Sequence, residues 1–205
     1  MSDSFLEAAA TRAAGELAGV AATVATAARG VEPQAVGPLV LLCGPSGVGK
    51  TSVAQHVASA MPLQLLSQDS FFNGAFVPYA DALSSGKAEI EEPGHIDWAS
   101  LREAARAPRR GGRACLVEGH TLLSDPQLVA EAACILFLDA TAAVCAARRL
   151  GRRQRSAQED ADIEAYYHRF VWPAHLEHVC VTAPPMPCAA CPHALNIFSP
   201  HAGGR

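Results

Sequence analysis

The chain has 205 residues, half of them hydrophobic, which is enough apolar sequence for one sizeable core and makes a single globular domain the expectation. A formal charge of -4 and a pI near 6.0 argue against a surface built wholly to bind nucleic acid, and no uninterrupted apolar stretch approaches the roughly 20 residues of a membrane span. The seven cysteines are odd in number, and Cys43, Cys115, Cys134 and Cys145 sit inside apolar runs, where free cysteine behaves as a small hydrophobe. A reducing, cytoplasmic setting is the expectation from that usage.

Residues 1–36 are alanine-rich, with Leu6, Ala10, Ala13, Ala14 and Leu17 at helical spacing, and are expected to form a helical extension. Their acids, Asp3, Glu7, Glu16 and Glu32, outnumber Arg12 and Arg29, unlike an arginine-rich transit peptide. "EPQAVGP" stops the helical pattern, and the main domain is expected over 37–205. There "LVLLC" reads as a buried parallel strand, followed at once by "GPSGVGKTS" and the helical "VAQHVASAM". Gly44, Gly49, Lys50 and Thr51 complete the phosphate-loop pattern in the strand–loop–helix setting it requires. The backbone N–H groups of Gly44, Ser46, Gly47, Val48, Gly49, Lys50, Thr51 and Ser52 are the candidate cradle for ATP. Lys50 would meet the β- and γ-phosphates, and the Thr51 hydroxyl would be a ligand for Mg²⁺.

Further apolar runs continue the alternation: "LQLL" before Asp69, "ACLVEG" around Glu118, "ACILFLD" ending at Asp139, and a weaker "ALNIF". Helix-like stretches separate them, so an α/β fold with a parallel sheet is expected. Ligands in such folds gather at the carboxyl ends of the strands, where both Asp69 and Glu118 fall. Phosphoryl transfer to an alcohol needs a carboxylate facing the hydroxyl and a metal against the phosphate charge; Asp69 suits the first role, and Glu118 the second through a water shell. Asp139 is expected to cap, or nearly cap, the following helix. Asp97 of "HIDW" is either a cap for the helix "WASLREAAR" or a ligand for a diol, and His95 beside it is a contact candidate or a surface histidine. Arg148, Arg149, Arg152, Arg153 and Arg155 form a cluster without interleaved aromatics, which disfavours nucleic acid.

Taken in order, "GPSGVGKTS", "LLSQDSFF", "HIDWASL", "LVEGHTLL", the arginine-rich stretch after "FLDAT", and "YYHRFVWPAHLEH" resemble the nicotinamide riboside kinases among the uridine-kinase-like P-loop kinases, from about Leu39 to about His178. The resemblance implies a sheet of strand order 2-3-1-4-5, ATP and Mg²⁺ as cofactors, and transfer to the 5′-hydroxyl of a ribonucleoside; charge and hydropathy make no nucleic-acid or membrane partner the expectation. It implies that Asp69 faces that hydroxyl, that Asp97 holds the ribose, and that the stretch near 148–160 is a lid in which Arg149 and Arg153 reach the phosphates. Phe72, His95, Trp98 and Trp172 are the further substrate candidates. The aromatics that sandwich the base in that family are replaced by Ile96 and Gln158 here, which keeps uridine, cytidine or another small metabolite open as the acceptor. The absence of an N-K-x-D stretch counts against a guanine switch, and the intact Asp69 and Glu118 count against a binding module that has lost turnover. In the tail, Cys188, Cys191 and His193 have the spacing of three zinc ligands but lack a near fourth.

Overall fold

The computed structural model describes residues 36–87, 91–182 and 195–198. Nearly all of the alanine-rich extension, and Cys188, Cys191 and His193, lie outside the described residues. Four strands, β1 (Leu39–Cys43), β2 (Leu63–Ser67), β3 (Ala114–Glu118) and β4 (Ala132–Asp139), lie parallel in the order β2-β3-β1-β4, and the backbone of β5 (Leu195–Phe198) pairs parallel with β4. The seven helices are α1 (Lys50–Ala60), α2 (Tyr79–Ser85), α3 (Trp98–Arg109), α4 (Pro126–Glu131), α5 (Ala142–Leu150), α6 (Ala157–Tyr166) and α7 (Trp172–Thr182) among the described residues.

The central strand shows why the sheet is covered on both faces. All five residues of β1 are buried, and alternate side chains point to opposite faces. Val40 and Leu42 join Ala54 and Val57 of α1, Tyr166 of α6, and Tyr167 and Val171 in one core cluster. Leu39, Leu41 and Cys43 join Leu101 and Ala105 of α3 and Leu128 of α4 in the other. A continuous apolar run is thus the signature of a strand with helices on each side.

Local chemistry fixes the helix starts. Asp125 caps α4, accepting from Leu128 N at 2.8 Å, with Pro126 at the first helical position where its missing N–H costs nothing. Ser156 and Glu159 form a reciprocal capping box at the start of α6. The cap of α5 is Thr141, which accepts from Val144 N at 3.4 Å; Asp139 ends β4 two residues earlier. The expected capping role thus passes from the strand-end acid to a hydroxyl nearer the helix.

Candidate active site

The loop between β1 and α1 builds an anion cradle. Gly47 has φ of +90° and Gly49 has φ of +109°, a left-handed backbone that favours glycine. A Cβ on Gly47 would also stand 2.2 Å from the carbonyl oxygen of Cys145, so the loop packs directly on α5. Gly49 precedes α1 with no side-chain cap and no acid in the first turn. The first helical N–H groups have no intrahelical acceptor, and they add the positive end of the helix dipole. Lys50 is buried and its Nζ donates to Pro45 O at 2.9 Å. Burial pushes its ammonium pKa down, partly offset by the charges of Glu118 and Asp69. Those two acids are therefore close enough to Lys50 to share its field.

The strand-end carboxylates occupy different surroundings. Glu118 is buried at the end of β3, and Oε1 accepts from Ser67 Oγ at 2.6 Å and Thr51 Oγ1 at 3.3 Å. A carboxylate with two hydroxyls beside a phosphate loop is an all-oxygen set, which fits a hard Mg²⁺ ion that keeps much of its water. Asp69 is exposed, on the short 3₁₀ turn Gln68–Phe71 directly after β2. That turn is held from below by Gln68, wholly buried, whose amide donates to Thr121 Oγ1 at 2.5 Å and accepts from Thr121 N at 3.2 Å. A buried, hydrogen-bonded foot thus supports an exposed carboxylate.

Glu91 is a buried acid beside these groups that the sequence pattern did not single out. It is 5 % exposed, yet its carboxylate interacts with Arg149, the Tyr166 hydroxyl, Asp69 and Lys50, and Oε2 lies 3.7 Å from His120 Nε2. Burial raises its pKa above the ordinary glutamate value, with the nearby Arg149 charge opposing. Arg149, from the last turn of α5, donates to Ser46 Oγ at 2.7 Å and to Tyr79 Oη at 3.2 Å, with its guanidinium 5.7 Å from the Tyr79 ring centre. One arginine therefore ties the phosphate loop to α2 and to a buried acid.

The remaining candidates are placed differently. Asp97 caps α3: Oδ1 accepts from Ser100 N at 3.0 Å and Oδ2 from Ser100 Oγ at 2.7 Å, and these bonds hold its pKa below the ordinary value. Phe72, directly after the 3₁₀ turn, bridges to Ile96, and its ring centre lies 6.1 Å from that of His95. Trp98 donates its indole N–H to Pro93 O at 2.8 Å, and Trp172 packs against Tyr167 and His175 in the core. Arg153 is exposed past the end of α5, where its charge lowers the pKa of Glu159, after that acid's bonds with Ser156. Ile96 is buried in core, and exposed Gln158 donates to Asp162 at 2.9 Å. No described helix is long and apolar enough to cross a membrane.

Among solved structures, a candidate fructose transport system kinase from Silicibacter sp. TM1040 is 17 % identical, with a TM-score of 0.61, covering 87 % of this chain and 98 % of its own. A possible uridine kinase from Bacillus stearothermophilus is 12 % identical, with a TM-score of 0.56, covering 90 % of this chain and 99 % of its own. At these identities the likeness is one of fold. No curated protein matches the chain in sequence. The AAA_33 family model, described as an AAA domain, matches residues 39–170, more than half of the sequence, and the chain therefore belongs to that family.

Proposed function

We propose that this protein is an ATP-dependent kinase that phosphorylates a hydroxyl of a small polyhydroxylated metabolite. The carrying observation is the convergence of Lys50, Thr51, Glu118 and Asp69 on one edge of the sheet, with an open carboxylate beside a phosphate loop. The loop and Lys50 bind the β- and γ-phosphates, and Lys50 exchanges Pro45 O for them. Thr51 and Glu118 would hold Mg²⁺, which supplies charge neutralisation on the phosphates. Asp69 orients the acceptor hydroxyl and receives its proton as the oxygen attacks the γ-phosphorus; the bond to the bridging oxygen breaks and ADP leaves. Arg149 is positioned to bridge the phosphate side and the acceptor side, while Arg153 serves as a lid residue that closes over the phosphates.

Ribonucleosides are the first acceptor class, and nicotinamide riboside the first compound to assay, because the ordered motifs from "GPSGVGKTS" to "YYHRFVWP" support them. Glu91, with Arg149 and Tyr166 around it, is the acid we assign to the acceptor hydroxyls, alongside the ribose role that the resemblance implies for Asp97. A monosaccharide is the second reading, favoured by one observation: Ile96, which stands where a base-stacking aromatic was expected, is buried in the core. The candidate fructose transport system kinase shares the fold and so makes fructose a sensible member of the panel.

The test is a coupled assay of ADP formation with nicotinamide riboside, uridine, cytidine, their 2′-deoxy counterparts and fructose. Acceptor-dependent turnover supports the kinase reading. Acceptor-independent hydrolysis would instead identify a nucleotide switch, and ATP binding without turnover an interaction module.

A further inference from the structure

Three peptide units of the phosphate loop are held by their carbonyl ends. Lys50 Nζ donates to Pro45 O at 2.9 Å, Tyr167 Oη to Ser46 O at 3.3 Å, and Arg148 Nη1 to Val48 O at 2.8 Å. A trans peptide is planar, so its N–H points opposite to its C=O. A side chain that fixes a carbonyl therefore also fixes the direction of the next residue's N–H. The N–H groups set in this way belong to Ser46, Gly47 and Gly49. The Lys50 hold is given up when its ammonium turns to phosphate, but the other two come from outside the loop.

The two outside anchors differ in setting: Arg148 is exposed on α5 and reaches the loop through its guanidinium, whereas Tyr167 belongs to the core. Tyr167 is completely buried and opens the π-helical segment Tyr167–Val171, a rare geometry found frequently at functional sites. The preceding Tyr166 is also buried, and its hydroxyl faces Glu91, so adjacent tyrosines serve the acceptor side and the phosphate loop. Arg148 lies three residues after Cys145 on α5, hence on the same helix face. That face meets the loop at Gly47, where a Cβ would have no room.

The geometry points to Tyr167 and Arg148 as positioning residues for nucleotide binding: through Ser46 O and Val48 O they aim the Gly47 and Gly49 N–H groups at the nucleotide phosphates. This inference rests on the ATP-binding reading above. It separates two neighbouring arginines, since Arg148 holds a loop carbonyl and Arg149 a loop hydroxyl.

The test uses the full chain, with Tyr167→Phe, which removes only the hydroxyl, and Arg148→Met, which keeps the apolar stem. MgADP affinity is measured by calorimetry, and the Gly47 and Gly49 amide resonances are followed by ¹H–¹⁵N NMR in the MgADP complex. Each variant should weaken MgADP by about three- to tenfold, the effect of one lost hydrogen bond. Tyr167→Phe should shift the Gly47 resonance and spare Gly49, and Arg148→Met should do the reverse. Unchanged affinity in both variants overturns the inference. So does equal displacement of both resonances by either change, which marks general loosening of the core. A wild-type chain that binds no MgADP overturns the ATP reading itself, and this inference with it.

Discussion

Glu91 and Lys50 are opposite charges buried in the same site, and each is held away from its ordinary pKa chiefly by burial. For Glu91 the folded value lies above the unfolded one, so its cost to stability is absent below the ordinary value of 4.5 and grows as pH rises past it. Glu91→Gln should therefore raise the melting temperature at pH 8, by about 2–4 °C, the shift that ~1 kcal/mol produces at this chain length. The gain should vanish as the scans approach pH 4.5. The same variant should lose activity, because an acid retained at a stability cost beside Arg149 is retained for its charge. Melting scans across pH check the first claim, and a Tm difference that does not change with pH would contradict it. Lys50→Ala should abolish turnover by removing the charge on the β- and γ-phosphates; an undiminished kcat would remove the phosphate loop from the mechanism.

Helix α3 shows how one residue can carry two meanings. Its start was legible because an acid before "WASLREAAR" is a capping signal, and the two bonds between Asp97 and Ser100 satisfy it. The pKa of Asp97 is depressed by those bonds, so its contribution to stability is complete above 3.8 and lost as pH falls through the lower folded value. Asp97→Ala should lower the melting temperature, whereas Asp97→Asn keeps an acceptor for Ser100 N. If Asp97 also holds a ribose, the native chain should prefer the riboside over its 2′-deoxy counterpart by roughly ten- to hundredfold in kcat/KM, and Asp97→Ala should erase the preference. An unchanged ratio leaves Asp97 as a cap only, and an unchanged ratio in Asp97→Ala with collapse in Glu91→Gln would move the acceptor role to Glu91. The arginine stretch was legible only as a cluster. Which helical member faces the loop depends on a 100° turn per residue, so periodicity alone did not separate Arg148 from Arg149 before α5 was laid on Gly47.

For the whole molecule, the parallel sheet could be read because its strands are buried on both faces and therefore appear as uninterrupted apolar runs, as "LVLLC" does at β1. The phosphate loop could be read because its glycines, lysine and hydroxyl are contiguous. Glu91 could not: it lies in a connecting segment, and its neighbours Arg149 and Tyr166 come from more than fifty residues away. Tyr167 was equally hidden, since "YYHRF" fits an ordinary helix and a π-helical start has no periodicity of its own in so few residues. Long-range juxtapositions of this kind are properties of the closed fold.

In the proposed reaction Asp69 is the carboxylate that takes the acceptor's proton. The most direct measurement is kcat for acceptor-dependent ADP formation by the native chain and by Asp69→Asn, at saturating ATP and with the best acceptor of the panel. The amide is nearly isosteric and cannot accept the proton, so kcat should fall by about 10² to 10⁴-fold while ATP affinity is kept. An unchanged kcat with a weakened ATP affinity would place Asp69 in the metal site and contradict the mechanism.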